Sequence, residues 1–209
     1  MRRDPYWNHN THYHPWLLRQ LPDSVATALD VGCGDGLLAR KLATRCESVL
    51  GVDSDAQVLD HADPAPQVRF RQEDFRRTTG TFEVVTAVAV LHHVPLVEGL
   101  TALRRLVAPG GLLLVIGLWK STPRHDFGYL PLLPATSVVQ ALHRHRRGDP
   151  DVTLRDPVET IGQIRTAAAE ILPGARIRRR LMWRYTLRWR NPARRPADRI
   201  GSDLAISAR

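Results

Sequence analysis

With 209 residues, 43% of them hydrophobic, the chain can enclose one substantial core with a small cap. Its 30 basic against 21 acidic residues leave a net charge of +9, but Lys41 and Lys120 are the only lysines; a coding bias towards arginine explains this as well as a nucleic-acid partner does, and charge alone speaks to non-specific attraction and not to fold or chemistry. No apolar run reaches the ~20 residues of a membrane span, two cysteines make no disulfide framework, and an N-terminus without an apolar signal region makes a cytoplasmic location the expectation.

Residues 1–13 are rich in aromatic and histidine side chains without a period, and 14–21 read as one or two helical turns. Strands and helices then alternate: strand 27–31, helix 37–45, strand 48–53, short helix 55–62, strand 68–72 and strand 82–89. Leu96, Leu100, Leu103 and Val107 recur at helical spacing, with Pro95 placed for the first turn of a helix over 95–107. Pro109-Gly110-Gly111 ends it before strand 112–118. Beyond a break at 119–155, which holds a predicted helix over 137–147 ending at Gly148, Asp156, Pro157 and Glu159 predict a capped helix start, with Pro173-Gly174 as its stop. Residues 175–181 and 183–190 read as paired strands, and 191–209 as a polar tail. Repeated βα units predict an α/β fold with a doubly wound, mostly parallel sheet.

The densest signal is Ala28-Leu29-Asp30-Val31-Gly32-Cys33-Gly34-Asp35-Gly36, an apolar strand running into three alternate glycines and then a helix. Glycines there let backbone approach a ligand closely, and the helix N-terminus adds free N–H groups. Asp53, ending the next strand, can accept both hydroxyls of a ribose. The dinucleotide fingerprint G-x-G-x-x-G is not met, because position 37 is Leu and the third glycine is Gly36. The small Cys33 reads as filling a tight turn.

The Asp30-x-Gly32-x-Gly34-x-Gly36 run resembles the first motif of class I S-adenosylmethionine (SAM)-dependent methyltransferases. Four stretches follow the same pattern in order: Gln72-Glu73-Asp74-Phe75; Phe82-Glu83-Val84-Val85 with Val90-Leu91-His92-His93-Val94; Ala108-Pro109-Gly110-Gly111; and the strand pair 175–190. The likeness is to the quinone-biosynthesis and "type 11" small-molecule group. It implies a Rossmann-like, seven-stranded sheet with an antiparallel last strand and a small helical lid and cap. The expected organisation is one domain over 1–190, with a lid at 1–25 and a cap insertion at 119–155. The cofactor implied is SAM, and the reaction is methyl transfer to an O, N or C nucleophile of a small molecule. By the same resemblance Asp30 faces the amino group of SAM, Asp53 the ribose and Asp74 the adenine amino group, with Phe75 in contact. Cys33, Ser54 and Ala87 complete the cofactor's surroundings, and Tyr13 and His14 lie nearest to it in the lid.

His92 and His93 close the fourth strand. Adjacent side chains on a strand diverge, so His92 is expected in the cleft and His93 packed behind it. An ordinary imidazole pKa of ~6.5 would suit His92 as a general base. Trp119 and Arg155 are candidates for the acceptor pocket. A metal is not expected, since His12 and His14 lack a third ligand at a suitable spacing. Two other readings remain open. An RNA or DNA methyltransferase is disfavoured because Val88-Ala89-Val90-Leu91 stands where base-amino enzymes carry an Asp/Asn-Pro-Pro-aromatic stretch. A SAM-fold protein without methyl transfer, such as a binding subunit or cyclase, would hold the cofactor without consuming it.

Overall fold

The computed structural model describes residues 4–122, 129, 133–143 and 155–193. Seven strands form one sheet in the order β3-β2-β1-β4-β5-β7-β6. Its members are β1 (Val25–Val31), β2 (Cys46–Asp53), β3 (Val68–Gln72), β4 (Phe82–Val88), β5 (Val107–Leu118), β6 (Arg176–Arg180) and β7 (Arg184–Arg190). The first five are parallel, while β7 inserts antiparallel between β5 and β6. The sheet expected from the sequence is thus the one observed.

Central strands are apolar on both sides because both faces are covered. Along β5, Leu113 and Val115 point to a core shared with helix α4 (Leu96–Leu106) and helix α6 (Ile161–Ile171). Leu112, Leu114 and Ile116 point to the opposite core, beside α1 (His14–Gln20) and α2 (Leu37–Leu42). Two further helices, α3 (Ala56–Leu59) and α5 (Leu133–Leu142), complete the α-helices among the described residues.

Strand β5 starts at Val107, five residues before its expected start, and runs through Pro109-Gly110-Gly111. Gly110 takes a φ of +81°, and the register to β4 shifts between Phe82 and Val84, so the Pro-Gly-Gly signal marks an irregular strand rather than a stop. Pro95 sits just before α4, not inside its first turn. Helix α6 starts at Ile161, not after Asp156. Thr160 Oγ1 accepts the Gln163 N–H at 3.4 Å and Gln163 Oε1 accepts the Thr160 N–H at 2.8 Å. That reciprocal capping box competes successfully with the Asp156-Pro157 signal. Helix α5 starts four residues before the predicted 137 and ends at Leu142, short of the predicted 147; Gly148, and much of the proposed cap and tail, lie outside the described residues.

In the β6–β7 ladder Arg176 lies opposite Arg188, Arg178 opposite Thr186, and Arg180 opposite Arg184. Opposite residues share a face, so this end of the sheet carries most of its arginines on one side, while Tyr185, Leu187 and Trp189 enter the core on the other, where Arg179 lies opposite Tyr185.

Candidate active site

At the carboxyl ends of the parallel strands lies a cleft of about 610 Å3, where open α/β sheets bind their ligands. The turn after β1 forms its floor. Gly32 and Cys33 N–H groups both bond to Val52 O, at 2.8 and 3.1 Å. Gly32 has a φ of +64°, and a Cβ there would lie 2.3 Å from Val90 Cγ2. Glycine is therefore required twice over, by backbone conformation and by space.

Carboxylates gather on this side. Asp53, at the end of β2, uses Oδ2 to accept the Gly34 N–H at 2.9 Å and Oδ1 to accept the Asp55 N–H at 3.0 Å. It ties the glycine turn to the next strand while lining the cleft. Asp30 is 1% exposed. Its Oδ1 accepts the Thr86 hydroxyl at 2.7 Å, whereas Oδ2 makes no hydrogen bond within 3.5 Å among the described residues, and the Ala39 N–H in the first turn of α2 is the backbone donor facing the carboxyl. Burial, opposed by the Thr86 bond and reinforced by the negative charge of Asp53, pushes its pKa up to about 7. A buried carboxylate with one orphaned oxygen is costly unless it takes up a proton or a cation meets it. Asp74 is bridged by the Arg76 guanidinium at 2.6 Å, which holds its pKa below the ordinary value, and Arg76 also reaches Glu98 at 3.1 Å.

The N-terminal segment forms one wall through Tyr6, Asn8, Asn10, Thr11 and His14. Asn8 Oδ1 accepts the N–H groups of Asn10 and Thr11, at 3.0 and 2.8 Å, which fixes the turn. The Tyr6 hydroxyl donates to Asp35 Oδ2 at 3.1 Å, tying this wall to the glycine turn. His14 is buried, and the Lys41 ammonium donates to its Nδ1 at 3.0 Å while pairing with Asp4. Burial and that positive neighbour push the His14 pKa down to about 3, so the ring is neutral.

At the other end the chain leaves β4, turns at Ala89 with a φ of +56°, and forms a 3-10 turn over Leu91–His93. This turn corrects the expectation that the two imidazoles diverge: their centroids are 4.0 Å apart and both line the cleft. Burial, His93 and the guanidiniums of Arg184 and Arg155 push His92 down to about 4, in place of the ordinary value expected for a base. Its Nδ1 has no partner among the described residues.

The cleft thus gathers Asp30, Gly32, Cys33, Gly34, Asp53, Ser54, Asp74, Phe75, His92 and His14. Three other expected residues lie elsewhere. Ala87 is fully buried in the core. Gly36, with a φ of +73°, precedes α2, and a Cβ there would strike the Phe70 ring. The Tyr13 hydroxyl donates to Leu181 O at 2.8 Å. Arg155 lines the cleft as expected, whereas Trp119 packs edge-on against Tyr129 in the core. Sequence reasoning missed Asn8, Asn10, His93 and Arg184; the Asn8-x-x-Thr11 turn pattern was a usable signal for the first two.

A methyltransferase domain model matches residues 29–115. An uncharacterized methyltransferase of Mycobacterium tuberculosis is 35% identical over 202 residues, covering 90% of this chain and 99% of that one. A ubiquinone biosynthesis O-methyltransferase of Dechloromonas aromatica is 31% identical over 126 residues, 51% of this chain and 54% of the relative. Among solved structures, an N-methyltransferase of Bradyrhizobium japonicum in complex with S-adenosyl-L-homocysteine (SAH) superposes with a TM-score of 0.59 at 17% identity, covering 87% of each chain. A magnesium protoporphyrin IX methyltransferase of Synechocystis with bound SAH gives 0.57 at 19% identity, covering 87% of this chain and 80% of that one. The motif order, the sheet and these likenesses agree: the chain belongs to the class I S-adenosylmethionine-dependent methyltransferases.

Proposed function

We propose that the cleft binds SAM across β1 and β2 and directs its methyl group to a nucleophile of a small molecule held at the His92 end. SAM supplies a methyl group already activated on a cationic sulfur. Asp30 Oδ2 holds the amino group, Asp53 accepts the ribose hydroxyls while keeping the glycine turn closed, and Asp74 accepts the adenine amino group beside Phe75. The Tyr6–His14 wall covers this half as a lid. The orphaned Oδ2 of Asp30 carries the proposal, because a buried carboxylate beside a glycine turn calls for a cationic partner.

His92 stays uncharged at neutral pH and is too weak a base to take a proton efficiently. Its role in this reading is to orient the acceptor, and the rate rests mainly on holding methyl and nucleophile together. Calorimetry with SAH and NAD, followed by transfer of labelled methyl from SAM to small-molecule fractions, tests the reading. SAH binding with label transfer is expected. NAD binding without SAH binding refutes the cofactor assignment, and SAH binding without consumption of SAM refutes transfer.

A further inference from the structure

Charge is divided across the cleft. Six acids, among them Asp30, Asp53 and Asp74, line the half beneath the glycine turn, where Arg76 is paired with Asp74. Among the described residues, the half beyond His92 is lined by Arg155 and Arg184, with Asp156 as an acid beside them. Strand order explains the separation. Asp53 ends β2 and the glycine turn follows β1, whereas Arg184 opens β7 opposite Leu118, at the end of β5 and on the far side of β4.

Both guanidiniums are placed by the fold. Arg184 is 9% exposed; its Nε donates to Asn10 Oδ1 at 3.0 Å and its Nη1 to Met182 O at 3.1 Å. Arg155 Nη1 donates to His93 O at 3.1 Å, which fixes it to the turn that carries the two imidazoles. A guanidinium keeps its charge and matches a planar carboxylate with paired N–H groups. Beside them the neutral imidazoles can each donate a further hydrogen bond.

We propose that the methyl acceptor is a small carboxylic acid whose carboxylate binds between Arg155 and Arg184 next to the His92–His93 turn and is itself methylated. This rests on the transferase reading above and adds the class of acceptor. A carboxylate oxygen forms the new O–CH3 bond; the methyl–sulfur bond breaks, and its electron pair stays on sulfur as SAH leaves. No proton is released, so the step needs no base. That fits a cleft whose histidines have been pushed towards weaker basicity by burial and positive neighbours.

The test uses labelled SAM and the dialysable fraction of a bacterial extract, divided in two. One half has its carboxyl groups converted to amides with a carbodiimide and an amine; the other is mock-treated. The expected result is label in the mock-treated half, released as methanol by mild alkali, and at least a tenfold loss after carboxyl blocking. Arg155→Gln, at an exposed position, is expected to raise the apparent KM for the extract at least tenfold with SAH affinity unchanged, and Arg184→Gln to do the same if it folds. Label that survives blocking, or that resists alkali as a methyl phosphate or ether would, overturns the proposal. So does a loss of SAH affinity in both variants, which would assign the arginines to the carboxylate of the cofactor. No label in either half while SAH binds overturns the transferase reading itself.

Discussion

Replacing Asp30 with Asn should make the ligand-free protein more stable at pH 8 and worse at its task. Burial lifts the carboxyl from 3.8 to about 7. The folded state therefore holds the proton more tightly than the unfolded chain does. The stability this gives is present below the unfolded value and is lost as pH rises towards 7. Above that, the ionised form costs the fold about 4 kcal/mol. Asparagine removes this cost and keeps the Thr86 bond through its own Oδ1. Its amide nitrogen replaces the orphaned Oδ2 and gives back about 1–3 kcal/mol as an unpaired buried donor. A net gain of roughly 1–3 kcal/mol raises the melting temperature by about 2–4 °C per kcal/mol at this chain length. Binding moves the opposite way. A charged hydrogen bond to the ligand's amino group is worth about 1.5–3 kcal/mol, so SAH affinity should fall about 10- to 150-fold. In the unaltered protein that affinity should also weaken below pH 7, because the ammonium needs the ionised carboxylate, and Asp30→Asn should flatten this dependence. Calorimetry from pH 5 to 8 with paired melting curves is the assay. Unchanged SAH affinity in Asp30→Asn, or a flat pH dependence in the unaltered protein, refutes the reasoning.

Gly32→Ala should destabilise the fold by at least about 1–3 kcal/mol, from strain at positive φ and the clash with Val90. Adding Val90→Ala should restore only part of the loss, as melting curves will show. Asp53→Ala removes the bonds to Gly34 and Asp55 and, on the proposed function, an acceptor of the ribose hydroxyls. It should weaken SAH binding at least about tenfold and speed hydrogen exchange at those two amides. His92→Ala should lower turnover without moving the pH–rate profile between pH 6 and 9, because an imidazole near 4 does not titrate there. An inflection near pH 6.5 that disappears in the variant would restore His92 as a base. Thr160→Ala should cost about 1 kcal/mol through the lost cap, read as a lower melting temperature with SAH affinity retained.

The sheet was legible because buried parallel strands write themselves as apolar runs, as in Val49–Val52 and Val84–Ala87. The glycine turn and the place of Asp53 at the cleft were legible because both depend on spacing along the chain. The pairing of the two imidazoles was not, because it follows from the turn at Ala89, whose positive φ no residue type there announces. Arg184 was hidden for another reason. Alternation along β7 assigns it to the polar side, and only the packing of Asn10 and Met182 around it turns that side into the wall of a cleft. The two starts for α6 show local rules in competition, Asp156-Pro157 against Thr160-x-x-Gln163, with the second winning because both of its reciprocal bonds form.

The arginines that crowd the β6–β7 ladder have a counterpart at the opposite border of the sheet, where β3 exposes Arg69 and Arg71. Each border strand presents unpaired backbone groups on which another chain could grow. A second copy docking border to border would bring guanidiniums against guanidiniums, and like charges placed opposite each other disfavour such a ladder. Arginines at both borders would thus act as fenders between molecules at high concentration. Their protection fades as ionic strength rises, and a multivalent anion that bridges two borders would turn mutual repulsion into cohesion.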